Sequence, residues 1–267
     1  MVTELKPKIL LGDYLKHLLI RTPLQEPARK LQDLSQLRRK VQHPEMVEIY
    51  RESARIETLL QQIIKPTSNC IDIGCHLGSM LERILKYAPA GNHVAFEPTP
   101  YKAQWLRTKF PEVKILEFAL GNKPGTATFY QNTNHSGFSG LRPHKKDGDK
   151  LLAYQVNCEL LDNLIDLEQP VDFMKVDVEG GELGVLRGAT KILSSHRPTI
   201  LFECTQSGLA CFKYTAQEVY DFFQAQNYAI FLPKDLLEGG APLDFTQFEQ
   251  AMQYPFQAFN FMAQAKV

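Results

Sequence analysis

Apolar residues recur at helical spacing over Ile9–Ile20, Ala28–Val41 and Met46–Ile64, with Pro23, Pro27 and Pro44 as breaks, and nothing before Pro66 alternates like a strand. The pattern predicts a helical extension over residues 1–65. From Pro66 the pattern changes to short apolar runs separated by amphipathic stretches, as in a parallel sheet covered by helices. The runs Cys70–Ile73, His93–Phe96, Lys114–Ala119, Phe173–Val178, Thr199–Glu203, Tyr228–Leu232 and Phe259–Ala263 are the seven expected strands of a 66–267 domain. Between the third and fourth, "GTATFYQ" and "YQVNCELL" alternate in the strand manner around Asn132–Lys150. That loop is long for a bare connector.

Composition narrows the class. With 267 residues and 44% hydrophobic content the chain can bury a sizeable core. Thirty basic residues balance thirty acidic ones, so no overall field draws in a nucleic acid, and Arg38–Lys40 reads as a solvated helix face. Five scattered cysteines at 70, 75, 158, 204 and 211 form neither a CxxC pair nor a disulfide framework, which points to a reducing, cytoplasmic setting. The run "ILLGDYLKHLLI" is cut by Asp13, Lys16 and His17 and is too short to span a bilayer; it reads as an amphipathic helix able to lie on a surface.

Four stretches carry candidate chemistry. In "CIDIGCHLGSM" a strand ends at Asp72 and enters a turn with Gly74 and Gly78 before a helix. Such a turn lets backbone approach a ligand, with an ordinary strand-to-helix connection as the lesser alternative. Its spacing is DxGxxxG, not the GxGxxG of dinucleotide sites. In "HVAFEPTP", Glu97 ends the next strand, where a carboxylate can accept both ribose hydroxyls. In "LEFALGN", Ala119 and Leu120 offer an apolar wall for a flat ring. In "VDFMKVDVEGGELGVLRGA" the strand period puts Lys175 beside Asp177, an arrangement that suits a structural ion pair. Asp177 and Glu179 then stand at the lip of the sheet. Either acid could face a ligand there or cap the helix that follows.

Taken in order and spacing, "IDIGCHLGS", "FEP", "FALGN", "LLDNL", "DFMKVDVEGGELGVLRGA" and "RPTILFE" resemble the FkbM-family methyltransferases over roughly Cys70 to Glu203, with a weaker echo in "FNFMA". The resemblance implies a class I methyltransferase Rossmann-like α/β fold and S-adenosylmethionine as cofactor. It also implies O-methylation of a small-molecule or glycan hydroxyl, often on a sugar or natural product. It places Asp72, Gly74 and Gly78 along the methionine part of the cofactor, with Cys75 and His76 in the same loop, Glu97 on the ribose and Ala119–Leu120 at the adenine. Asp177 and Glu179 fall near the sulfonium and the incoming hydroxyl, as the catalytic pair. His76 stands where the family usually has Asn, Leu160 replaces a Thr, and "FSGL" replaces a more Ser-rich run.

Asp177 is the first choice for general base, then Glu179, with His135 in "NTNHSGFSG" behind both. A divalent cation held by Asp177 and Glu203 is an alternative for which no third ligand is apparent. A nicotinamide-dependent oxidoreductase and a non-catalytic scaffold on the same fold are the rival functions. The 1–65 extension is expected to cover the cofactor mouth or to build a homodimer contact.

Overall fold

The apolar runs become strands β1 (Cys70–Ile73), β2 (Val94–Phe96), β3 (Lys114–Leu116), β7 (Phe173–Val176), β8 (Thr199–Glu203), β9 (Tyr228–Phe231) and β10 (Asn260–Ala265). They were traced in a computed structural model that describes residues 6–25, 27–28, 37–144 and 146–266. The seven form one sheet in the order β3-β2-β1-β7-β8-β10-β9, parallel except for β10, which runs against both its neighbours. This is the expected mostly parallel, seven-stranded α/β sheet. Chain order reverses between β1 and β7, and in such sheets the crevice at the reversal is where ligands bind.

Three strands end earlier than their apolar runs, β9 by the single residue Leu232 and two others by more. The third stops at Leu116, and the residues after it leave the sheet to form β4 (Ala119–Leu120). That short strand joins a second sheet of order β4-β6-β5, made with β5 (Gly125–Asn132) and β6 (Leu151–Glu159). The fourth run stops at Val176 because the chain turns: Glu179 and Gly180 take left-handed φ of 58° and 99°. Asp177 still donates its backbone N–H to Ile73 O (3.1 Å), so it stays fastened to the end of β1.

The two faces of the sheet bury different sets of residues, as period-two alternation requires. Ile71, Ile73, Met174, Val176, Ile200 and Phe202 pack with helices Glu182–Arg187 and Ala216–Ala225. Cys70, Ala95, Phe173 and Leu201 pack on the opposite side with helices Ser79–Tyr87 and Pro100–Lys109. Asp72 and Lys175 are register partners on β1 and β7, so two charged groups occupy the Phe173 side of the sheet.

The extension contains helices Leu11–Leu19, Leu37–Gln42 and Val47–Ile63. The expected helix over 28–41 falls partly on residues 29–36, and the basic cluster partly on the side chains of Arg38 and Arg39, all outside the described residues. Ile56, Leu59 and Leu60 join the same apolar cluster as Cys70 and Leu81. Buried Glu52 accepts from Phe259 N, Asn260 N and Asn260 Nδ2 (2.7, 3.0 and 2.9 Å), tying this helix to the start of β10. Leu11–Leu19 packs instead on Pro100–Lys109, with His17 stacked on Trp105 at 4.5 Å.

Candidate functional site

At the switch point the strand ends surround a cavity of about 780 Å³, within the range of small-molecule sites. Gly74, Cys75 and His76 form one edge. Gly74 has φ +76°, and a Cβ there would sit 1.8 Å from the Asp177 carbonyl oxygen, so the turn after β1 presses directly against the turn after β7. Both Gly74 N and Cys75 N donate to Phe96 O, which fixes that turn to β2 as well. Gly78 is needed for another reason: a Cβ there would meet the Phe110 ring at 2.4 Å.

Glu97, at the end of β2, is buried, and both of its oxygens are held by backbone. Oε2 accepts from His76 N (3.1 Å) and Oε1 from Thr99 N (2.9 Å). Burial pushes its carboxyl up, while nearby Lys102 and these amides oppose the shift. Each oxygen keeps a lone pair for a further donor. The His76 side chain hydrogen-bonds Ser136 Oγ (3.0 Å), and that hydroxyl meets Asp13 Oδ1 (2.6 Å) from the first helix. Asp13 also accepts from Tyr101 OH (3.3 Å) and lies 3.7 Å from Lys102 Nζ. The extension is thereby joined to the edge of the cavity.

At the other end, Lys175 Nζ pairs with Asp177 Oδ2 at 2.9 Å and lies 3.8 Å from Asp72 Oδ1. Burial raises the fully enclosed Asp72 to about 6, against the attraction of Lys175. The Asp177 and Asp72 charges hold Lys175 protonated in spite of its burial. The acid that ties down the turn is Glu182, whose Oε1 accepts from Val178 N (2.9 Å) and Gly180 N (3.1 Å). Glu179 is thus relieved of the capping role that its position suggested.

Glu179 is raised to about 9 by burial first, then by the charges of Asp177 and Glu182. The same causes push Glu203 well up. His144 Nδ1 stands 3.9 Å from Glu179, but burial lowers its pKa, so it adds no charge to offset the acids. Because the folded value of Glu179 lies above the ordinary 4.5, its contribution to stability is fully present below pH 4.5 and is lost as pH rises toward 9. Glu179→Gln removes that loss. Its unfolding free energy is expected to match wild type at pH 4 and to exceed it increasingly up to pH 8, by at most about 1.4 kcal/mol per pH unit. A difference that did not change with pH would contradict the buried-acid assignment.

The cavity brings together Gly74, Cys75, His76, Glu97, Ala119, Leu120, Asp177 and Glu179 from the residues singled out in the sequence. Asp72 and Gly78 stand behind that lining, Asp72 beneath Lys175 and Gly78 against Phe110. His135 is drawn off to Asp149 (2.9 Å) and is not part of the wall. Phe212 and Tyr214, which no motif in the sequence marks, stack their rings at 5.8 Å and line the side near Glu179. Arg142 lies over one ring and Arg187 over the other.

The sequence profile described as "Methyltransferase FkbM domain" matches residues 72–230. No curated protein matches the chain. Among solved structures, methyltransferase FkbM from Methylobacillus flagellatus KT aligns at 15% identity with a TM-score of 0.46, covering 75% of this chain and 44% of that one. This chain therefore spans less than half the length of that protein. A putative rRNA-methylase from Clostridium thermocellum aligns at 8% identity and TM-score 0.45, covering 80% and 96%. The plantazolicin methyltransferase BpumL, solved with a triazolic desmethylPZN analog and SAH, aligns at 11% and 0.43, covering 96% and 98%.

Proposed function

The chain belongs to the FkbM methyltransferase family, and from that premise we propose that it is an S-adenosylmethionine-dependent O-methyltransferase acting on a hydroxyl of a sugar or natural product. The observation that carries the reading is one cavity with two differently built ends. At one, Glu97 is held rigid by two backbone amides; at the other, Asp177 is held by Lys175. A volume of about 780 Å³ leaves room for a second molecule beside a nucleoside.

When bound, S-adenosylmethionine supplies a methyl group already activated by the sulfonium. Glu97 would accept hydrogen bonds from the ribose hydroxyls, the Gly74–His76 turn would hold the methionine portion, and Ala119 and Leu120 would border the adenine. Lys175 engages Oδ2 of Asp177 and leaves Oδ1 to take the proton of the acceptor hydroxyl. Burial and the charges of Asp177 and Glu182 favour the protonated form of Glu179, which would donate a hydrogen bond to the acceptor while Asp177 serves as the base. The Phe212–Tyr214 stack offers an apolar face to the acceptor. Asp13, through Ser136 and His76, makes the extension a cover for the cofactor mouth.

Calorimetry separates this reading from a nicotinamide enzyme. S-adenosylhomocysteine is expected to bind and NAD not to, with Glu97→Ala weakening the former at least about tenfold. Binding of NAD alone would overturn it. A scaffold without turnover would bind S-adenosylhomocysteine yet label no member of a hydroxyl library from methyl-tritiated cofactor.

One observation favours a metal-assisted variant. Asp177, Glu179 and Glu203 each offer a carboxylate oxygen, all within 4.8 Å of one another, so Glu179 would serve as the third ligand to a cation held by Asp177 and Glu203. Their mutual repulsion is what a hard divalent cation would relieve, holding the acceptor oxygen near Asp177. On this variant EDTA abolishes transfer and magnesium restores it. Unchanged transfer after EDTA leaves the three acids to proton handling alone.

A further inference from the structure

Among the described residues, six of the ten large apolar side chains that stand exposed fall between Ile9 and Leu24. The helix Leu11–Leu19 has two faces. Asp13 and His17, with Ile20 just beyond the helix, point inward at i, i+4 and i+7: Asp13 to Tyr101 and Ser136, His17 onto Trp105, and Ile20 into the core. Leu11, Leu15 and Leu18 repeat the same spacing outward, at 72%, 52% and 47% exposure, with Tyr14 among them and Ile9 just ahead. A helix that packs one side and still shows a continuous apolar stripe on the other has a second partner.

The charges around the stripe say which kind. Lys6, Lys8 and Lys16 are exposed, and between positions 6 and 25 the only acid is Asp13. That acid is buried. Arg21, at the end of the helix, is occupied by Glu112 (2.8 Å). An apolar stripe flanked by lysines, in a segment whose single carboxylate is buried, is complementary to an anionic lipid surface, where leucines enter the acyl boundary and lysines meet phosphate headgroups. We propose that the outward face of Leu11–Leu19, with Lys6 and Lys8 before it, docks this protein on an anionic membrane surface. No helix of the described residues is long and apolar enough to cross a membrane, and docking of this kind needs none. The inference is independent of the reaction proposed for the cavity.

The test uses the full chain and cosedimentation with phosphatidylcholine vesicles, with and without roughly one-third phosphatidylglycerol. The protein is expected to partition onto the anionic vesicles, and much less onto phosphatidylcholine alone or at high salt. Replacing Leu11, Leu15 and Leu18 together with Glu touches only exposed positions and is expected to reduce partitioning roughly 100-fold or more. Lys6→Gln, Lys8→Gln and Lys16→Gln leave the apolar stripe intact and are each expected to weaken it roughly fivefold. Trp105, the chain's single tryptophan, lies beneath this helix against Tyr14 and His17, so its emission reports docking and also whether each variant keeps the native packing.

Absence of binding to anionic vesicles by the wild-type chain overturns the proposal. So does binding that the leucine replacements leave unchanged while Trp105 emission stays native. A concentration-dependent dimer, dispersed by those replacements and without vesicle binding, would assign the stripe to a second copy and overturn it as well.

Discussion

Asp177→Asn is expected to lower methyl transfer by roughly 100- to 10,000-fold, the range typical for loss of a positioned base, while S-adenosylhomocysteine binds within about threefold of wild type. Asn keeps the size of the side chain and the backbone bond from Asp177 N to Ile73 O, so the turn after β7 keeps its place. What disappears is the proton acceptor. Lys175 retains Asp72 as a charge partner at 3.8 Å, which limits the structural cost. Transfer measured with labelled cofactor, beside calorimetry on the same preparation, reads both quantities. Near-normal turnover would move the base to another residue.

Gly74→Ala is expected to act on the other half, weakening S-adenosylhomocysteine roughly 100-fold, since a left-handed non-glycine residue alone costs about 1–3 kcal/mol. Here steric overlap is added. The new methyl would stand 1.8 Å from the Asp177 carbonyl oxygen, and that atom is backbone, so relief requires the β1 and β7 turns to separate. The displacement moves Asp177 and loosens the amides that hold Glu97, so turnover falls together with binding. A variant with wild-type affinity measured by calorimetry would mean that the Gly74 turn does not cradle the cofactor.

Much of the sheet was readable because buried parallel strands are short apolar runs, and the seven runs became its seven strands. The errors came where the run outlasted the hydrogen bonds. Nothing in Lys114–Ala119 marks the step after Leu116 at which the chain passes to the second sheet. Val178 looks like strand continuation until the backbone of Glu179 turns left-handed.

The site was legible as far as residues close in sequence or adjacent in the sheet define it. Period two put Lys175 beside Asp177, and the two pair. Glu182 was hidden because a first-turn acid ordinarily reads as dipole compensation, and its reach back to Val178 N and Gly180 N depends on the bend between them. Asp13 was hidden more deeply. It looked like the charged interruption of an amphipathic helix, but its partners Tyr101 and Ser136 lie 88 and 123 positions away. The Phe212–Tyr214 wall, likewise, becomes a wall only when helix Gln206–Phe212 folds over the cavity.

A crystal structure with S-adenosylhomocysteine bound tests the assignment of the two ends of the cavity. Both ribose hydroxyls are expected on the Glu97 carboxylate, the adenine against Ala119 and Leu120, and the sulfur facing Asp177 across the space left for the acceptor. A nucleoside bound elsewhere, or a sulfur turned away from Asp177, would contradict it.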